Sequence, residues 1–142
     1  MKLRDWSDGL NNYIEEVRDL RFEWGQNDCL TFANKSHEVM TGEKFAPDWS
    51  GDYTTAYTAK KWYQKLLGEQ GFDTIIEAID ARLTRLSVVL PPRGSIVGRA
   101  EKSGAVTEVA LGVCVGETAA FISREGVVSL PVNEDDIFWA VD

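Results

Sequence analysis

Apolar positions recur at two different periods along this chain, and the change of period divides it. In the first half Leu10, Ile14 and Val17 repeat at helical spacing with Tyr13 beside them, after the polar caps offered by Asp5 to Asp8. That spacing predicts a helix over roughly residues 7–20. Phe22-Glu23-Trp24-Gly25 breaks the pattern. Asn27 and Asp28 are good N-cap residues, so a second helix is predicted from Asp28 to about Met40, with Cys29, Phe32, Ala33, Val39 and Met40 on its apolar face. Gly42 supplies the left-handed position that ends it. Phe45 to Tyr53 carries Pro47, Asp48, Ser50 and Gly51 and reads as a loop holding two rings, Trp49 and Tyr53. A third helix is predicted over 54–67, with Tyr57, Tyr63, Leu66 and Leu67 as candidates for burial and Gly68 and Gly71 closing it. A short fourth follows from Asp73 to about Arg82, with Ile75, Ile76 and Ile79 on one side.

After Pro91-Pro92 the period becomes two. Strands are predicted over 94–99, 106–115, 119–123, 127–132 and 137–141, with Glu125-Gly126 as a turn. In the strongest of them Val109, Leu111, Val113 and Val115 face one way, and Ala110, Gly112, Cys114 and Gly116 face the other. Helices first and adjacent strands afterwards predict an α+β domain, N-terminal helices packed on a C-terminal antiparallel sheet. No repeat, low-complexity segment or linker interrupts residues 1–142, which read as a single domain.

Composition narrows the function classes. The hydrophobic fraction of 44% and the five tryptophans supply a core, which excludes disorder and a disulfide scaffold. A net charge of −8 with no basic run excludes nucleic acid and anionic membrane surfaces as partners. No apolar stretch approaches the roughly 18 residues that span a bilayer, and the first residues lack the apolar core of a signal peptide. These features predict a soluble chain made in the cytoplasm, which leaves the cell only inside something larger.

The residue inventory narrows the chemistry. One histidine, His37, and two cysteines, Cys29 and Cys114, are too few for a Cys/His zinc site, and no phosphate-binding or dinucleotide fingerprint is present, so neither metal nor cofactor is expected. Cys29 falls in the first turn of a predicted helix, where the dipole and free N–H groups favour a thiolate. It also lies on that helix's apolar face, where cysteine is commonly just core. A nucleophilic thiol needs a base within hydrogen-bond reach. His37 is eight residues along the same helix, about 12 Å away at about 1.5 Å per residue, so it cannot pair with Cys29. Asp135 and Asp136 read as a solvated turn rather than a catalytic carboxylate pair. Asn34-Lys35-Ser36 matches a glycosylation acceptor but no secretion signal accompanies it. Cytoplasmic origin argues for thiols rather than a Cys29–Cys114 disulfide.

At Phe22-x-Trp24-Gly25-x-x-Asp28-Cys29 the sequence resembles the NlpC-type cell-wall peptidases, a papain-like family whose nucleophile region runs aromatic, Trp-Gly, a short gap, then Asp-Cys at a helix start. Arg93-Gly94-Ser95-Ile96-Val97 resembles that family's Gly-Asp-hydrophobic strand, with Ser95 where Asp is usual. Ala110-Leu111-Gly112-Val113-Cys114-Val115-Gly116 has the spacing of the strand that carries the catalytic base, with Ala110 in place of histidine. Phe121-Ile122-Ser123 resembles the strand of the third polar residue and puts Ser123 there. The resemblance thus implies a nucleophile at Cys29 and degenerate base and third positions at Ala110 and Ser123. Alanine cannot accept a proton, so the usual acid–base route is missing.

A closer resemblance is to short phage proteins of undefined activity that share Trp24 to Cys29, Thr41-Gly42, Gly51-Asp52-Tyr53 and Ala110-Leu111-Gly112. It implies a structural component of the tail tip or baseplate of a phage or phage-like particle, a pseudoenzyme residing in the virion with other tail-tip or hub proteins as partners. Trp49, Tyr53, Trp62 and Trp139 are then candidate interface anchors, core burial being the alternative. A second reading is a cysteine peptidase or amidase acting on peptidoglycan during envelope penetration, its base coming from a partner chain or the substrate. A third is a small-molecule or glycan binding module that keeps the cleft without turnover.

Overall fold

The computed structural model describes residues 1–49, 51–88, 90–100 and 109–142. Four helices come first: α1 (Trp6–Val17), α2 (Cys29–Thr41), α3 (Ala56–Gln70) and α4 (Ile75–Asp80). Six strands follow: β1 (Arg85–Leu86), β2 (Ile96–Ala100), β3 (Val109–Cys114), β4 (Thr118–Ser123), β5 (Gly126–Pro131) and β6 (Ile137–Trp139). They form one antiparallel sheet in the order β1-β6-β2-β3-β4-β5. The predicted α+β class is the class observed. Residues 106–108 of the strand predicted at 106–115 lie outside the described residues.

Local chemistry accounts for the helix ends. Asp28 caps α2 by accepting from the Thr31 backbone N–H, and Gly42 closes it in the left-handed conformation at φ 91°. Thr55 and Thr58 form a reciprocal cap at the start of α3, and Thr74 caps α4. Asp5 precedes α1 without a side-chain cap bond. Gly68, predicted to help close α3, lies within it, and Gly71 makes the turn. Tyr57, predicted buried, is 67% exposed. The helix turns Ala59, Trp62, Tyr63, Leu66 and Leu67 inward, and Tyr57 falls off that stripe.

The sheet has two apolar faces. Val109, Leu111 and Val113 of β3, with Ala120 and Ile122 of β4, pack against Leu10, Leu30, Phe32, Ala33 and Met40 of α1 and α2. Val97, Cys114, Ala119, Phe121 and Phe138 form a second cluster on the other face, joined by Ala110, Leu86 and Val128. The alternation predicted for β3 is therefore observed, and it puts Ala110 and Cys114 on the face away from the helices. Fully burying one Leu, Ile or Phe is worth roughly 1.5–3 kcal/mol, so the larger helix-side cluster dominates stability.

Three of the four aromatic residues expected at an interface are instead core. Trp49, Tyr53 and Trp139 are 2%, 3% and 0% exposed, and Trp62 is half-buried. Each buried ring is used: the Trp139 Nε1–H donates to Asp80 Oδ1 at 2.8 Å, and Arg82 lies 4.7 Å over Trp49 while pairing with Asp48. Asn34 is 5% exposed and exchanges two hydrogen bonds with the Ala46 backbone, at 2.8 and 3.0 Å. Both amide atoms are occupied, so this fold presents no glycan acceptor there. Asp136 corrects the expectation of a solvated turn. Its side chain is 1% exposed and holds Arg99 through two bonds, at 3.0 and 2.8 Å.

Candidate functional site

Two sequence segments meet around Asp28. The first is Phe22 to Cys29, which leaves α1, turns at Gly25 and enters α2. The second is the loop through Gly51 and Tyr53. The Asp28 carboxylate joins them: Oδ1 accepts from the Thr31 N–H (2.9 Å) and hydroxyl (2.8 Å), and Oδ2 from the Gly25 N–H (3.0 Å) and the Tyr53 hydroxyl (2.7 Å). Tyr53 spends its proton on Asp28, so at the Tyr53–Tyr63 contact of 3.4 Å Tyr63 is the donor. The run of hydroxyls is thus directed from Tyr63 through Tyr53 to the carboxylate.

Gly25 is where the two segments touch backbone to backbone. It holds φ 80°, and a methyl there would lie 2.3 Å from the Tyr53 carbonyl oxygen. Rings close the unit: Phe22 meets Trp24 edge-on at 4.7 Å, Trp24 meets Tyr53 at 6.4 Å, and Tyr53 lies 5.2 Å from Trp62. The shared residues of the Trp-Gly-x-x-Asp-Cys and Gly-x-Tyr motifs are therefore one interlocked structure. Burial, then the Asp28 charge, raises the Tyr53 phenol well above its ordinary range. Tyr63 is raised further, by burial first and then by Cys29, Tyr53 and Asp28. Both are proton-bearing phenols at neutral pH and act as donors, not bases.

Cys29 is the first residue of α2, half-buried against the helix-side core. The sheet lies between that cluster and Ala110. Ala110 pairs across to Arg99 and packs with Val97, Cys114, Phe121 and Phe138 on the outer face. Ser123 follows Ala119 and Phe121 at the two-residue period of that same face. Its hydroxyl donates to the Gly126 carbonyl at 2.7 Å and accepts from the Glu125 N–H at 3.1 Å, which fixes the β4–β5 turn. Its own carbonyl accepts from the Phe22 N–H at 2.9 Å. Ser95 is 3% exposed and donates to the Pro92 carbonyl at 2.6 Å. Cys29, Ala110 and Ser123 are thus not brought into one constellation, and the two cysteines lie on opposite sides of the sheet.

His37 sits near the far end of α2 as the helical spacing requires. Its Nδ1–H donates to the Glu43 carbonyl at 2.5 Å, and its ring meets Phe45 edge-on at 5.7 Å. Burial lowers its pKa first, and the Glu43 carbonyl partly restores it. Among the described residues no group of three or more His, Cys, Asp and Glu could hold a metal ion, and no helix is long and apolar enough to cross a membrane.

Sequence reasoning identified Asp28 as a cap and missed its two further donors, Gly25 and Tyr53. It placed Tyr63 in the core without its part in the hydroxyl run, and it missed Arg99 altogether. The Tyr53 link spans 25 positions and the Arg99–Asp136 link 37, and no local pattern announces either. No curated protein and no solved structure matches the chain. The family described as a domain of unknown function (DUF6950) matches residues 1–141, and the chain belongs to that family.

Proposed function

We propose that this chain is a structural component of the tail tip or baseplate of a phage or phage-like particle, built on a papain-like domain whose catalytic base has been lost. The observation that carries this reading is the separation of the implied catalytic positions. Cys29 faces the helix side of the sheet; Ala110 and Ser123 belong to the other face. General-base catalysis needs the base within about 3 Å of the proton it removes. A methyl group cannot serve, and the Ser123 hydroxyl is committed to a turn. Asp28, Tyr53 and Gly25 then work as a clamp that preserves shape, which is what a domain used for its surface needs. The partners in this reading are other tail-tip or hub proteins.

One observation favours the second reading. Cys29 keeps a half-buried place at a capped helix start, the presentation a cysteine peptidase or amidase acting on peptidoglycan would use. The discriminating experiment purifies particles from a strain carrying the chain either unaltered or as Cys29→Ser. Fixed stoichiometry in the particle, with the variant assembling and penetrating the envelope normally, supports the structural reading. Normal assembly with lost envelope penetration and lost peptidoglycan digestion supports the hydrolase. A chain absent from purified particles overturns the tail assignment.

A further inference from the structure

Of the four rings expected to anchor a partner, three are withdrawn into the core and Trp62 is half-buried, which turns attention to the rest of the surface. A groove of about 650 Å³ runs between the end of α1 and the entry to α2. Val17, Leu20 and Phe22 give it an apolar floor, and Leu20 is 51% exposed. Two polar groups of buried residues in its lining are left over among the described residues after the fold is made. Tyr13 is 7% exposed, stacks on Phe32 and lines the groove. Among the described residues its hydroxyl has no hydrogen-bond partner, and it is not sealed from solvent. Asn27, 9% exposed, spends its amide nitrogen on the Leu20 and Arg21 carbonyls, which leaves its carbonyl oxygen unengaged among the described residues.

An uncommitted donor and an uncommitted acceptor above an apolar floor are complementary to a peptide group, which offers one C=O and one N–H. Charge adds a direction. Arg21 lines the groove and forms no ion pair among the described residues. Of the other charged groups in the lining, Lys35 is paired with Glu38, and Glu23 is an exposed carboxylate two residues from Arg21. Burial first, then Glu16 and Glu38, keep the Tyr13 phenol protonated as a donor. We infer that this groove docks a short extended segment of another protein: a main-chain amide between Tyr13 and Asn27, a bulky aliphatic side chain on Val17, Leu20 and Phe22, and a carboxylate at Arg21.

The inference rests on the groove alone and holds whether or not the chain belongs to a tail. The probe is a fluorescein-labelled, N-acetylated, C-amidated hexapeptide alternating leucine and aspartate, titrated against the intact chain and followed by anisotropy. A counterpart with lysine for aspartate is the control. The expected result is saturable binding of the acidic peptide and at least fivefold weaker binding of the basic one. Tyr13→Phe removes only a hydroxyl that makes no bond among the described residues. It should leave the thermal midpoint unchanged and weaken binding about five- to tenfold. Arg21→Ala should weaken binding several-fold at low salt, with the difference vanishing near 1 M salt. No binding to the unaltered chain at millimolar peptide overturns the inference. So does equal affinity of a folded Tyr13→Phe variant, or equal affinity of the basic peptide. Loss of the tail assignment would leave all of these outcomes untouched.

Discussion

Asp28 and Asp136 are both sealed from water, and the fold neutralises them by opposite means. Asp28, 1% exposed, is held by four neutral donors at the positive end of α2, with no cation paired to it among the described residues. Asp136 meets a counterion: Arg99 binds it through Nε and Nη2, and the Asn133 N–H adds a third bond at 2.9 Å. The same guanidinium also donates to the Pro131 carbonyl and lies 5.0 Å over Phe121. Helix dipoles and backbone donors come with a helix start, so a carboxylate there needs no distant partner. Asp136 sits in the turn before β6, where no helix start supplies such a field, and its charge is matched by a cation from β2. The helical region therefore builds its polar centre largely from neighbours in sequence, and the outer sheet face from neighbours in space.

That difference predicts how each region breaks. Asp28→Ala removes the cap and strands the Gly25 N–H and the Tyr53 hydroxyl together, so it should cost about 3–5 kcal/mol in urea unfolding. Asp28→Asn keeps a carbonyl acceptor for the cap and should cost about half as much. A loss under about 1 kcal/mol for the alanine variant would mean that Asp28 does not organise this unit. Arg99→Met leaves the Asp136 charge buried without its partner and should cost about 3 kcal/mol. Adding Asp136→Asn should recover most of that, because the uncompensated charge is gone. If the double variant is no more stable than Arg99→Met alone, the counterion account of this face is wrong.

The same divide explains how much was legible in the sequence. The Asp28 cap, the Gly42 terminus and the alternation of β3 rest on contacts within a few residues, and all were readable. Strand β1 has two residues, too few to show a period, and went unpredicted. The burial of Asp136 depends on Arg99, 37 residues away, so composition alone made it look solvated. Trp139 is buried because Asp80 answers its indole N–H across 59 residues, and aromatic content cannot tell such a ring from an interface anchor. For the candidate site, the motif identified Cys29 and its capped helix. The strand period put Ala110 opposite Val109 and Leu111, but only the packing of α2 on β3 tells which face meets the helices.

Two glycines sharpen the contrast between a residue that joins segments and one that only ends a helix. Both have left-handed φ, 80° at Gly25 and 91° at Gly42. A methyl at Gly42 would meet nothing within 4 Å, so Gly42→Ala should cost only the left-handed strain, about 1 kcal/mol. A methyl at Gly25 would strike the Tyr53 carbonyl, and relieving that contact means opening the interface between the Trp24 turn and the Tyr53 loop. Gly25→Ala should therefore cost at least about 2 kcal/mol. It should also expose the Cys29 thiol to alkylation in the folded state. Equal destabilisation by the two substitutions would reduce Gly25 to a turn residue.

The smallest effect expected is at His37, where one imidazole holds the exit of α2 to the next loop through the Glu43 carbonyl. Burial sets its folded pKa below the ordinary imidazole value of about 6.5 that applies to the unfolded chain. In the window between those two values the unfolded chain carries the proton and the folded chain does not. Unfolding therefore takes up protons there, and stability rises with pH. The contribution of His37 is fully present above about pH 6.5 and is lost as pH falls through the folded value. For a single proton the slope cannot exceed about 1.4 kcal/mol per pH unit. Asp48 and Asp80, held below the ordinary carboxylate range by Arg82 and Arg85, add a separate loss only under about pH 4. Thermal melts from pH 7.5 to 5 should show a shallow decline, and His37→Gln should flatten it while keeping a donor for Glu43. An unchanged slope in that variant would assign the decline to other groups and leave His37 as a neutral tie at the helix end.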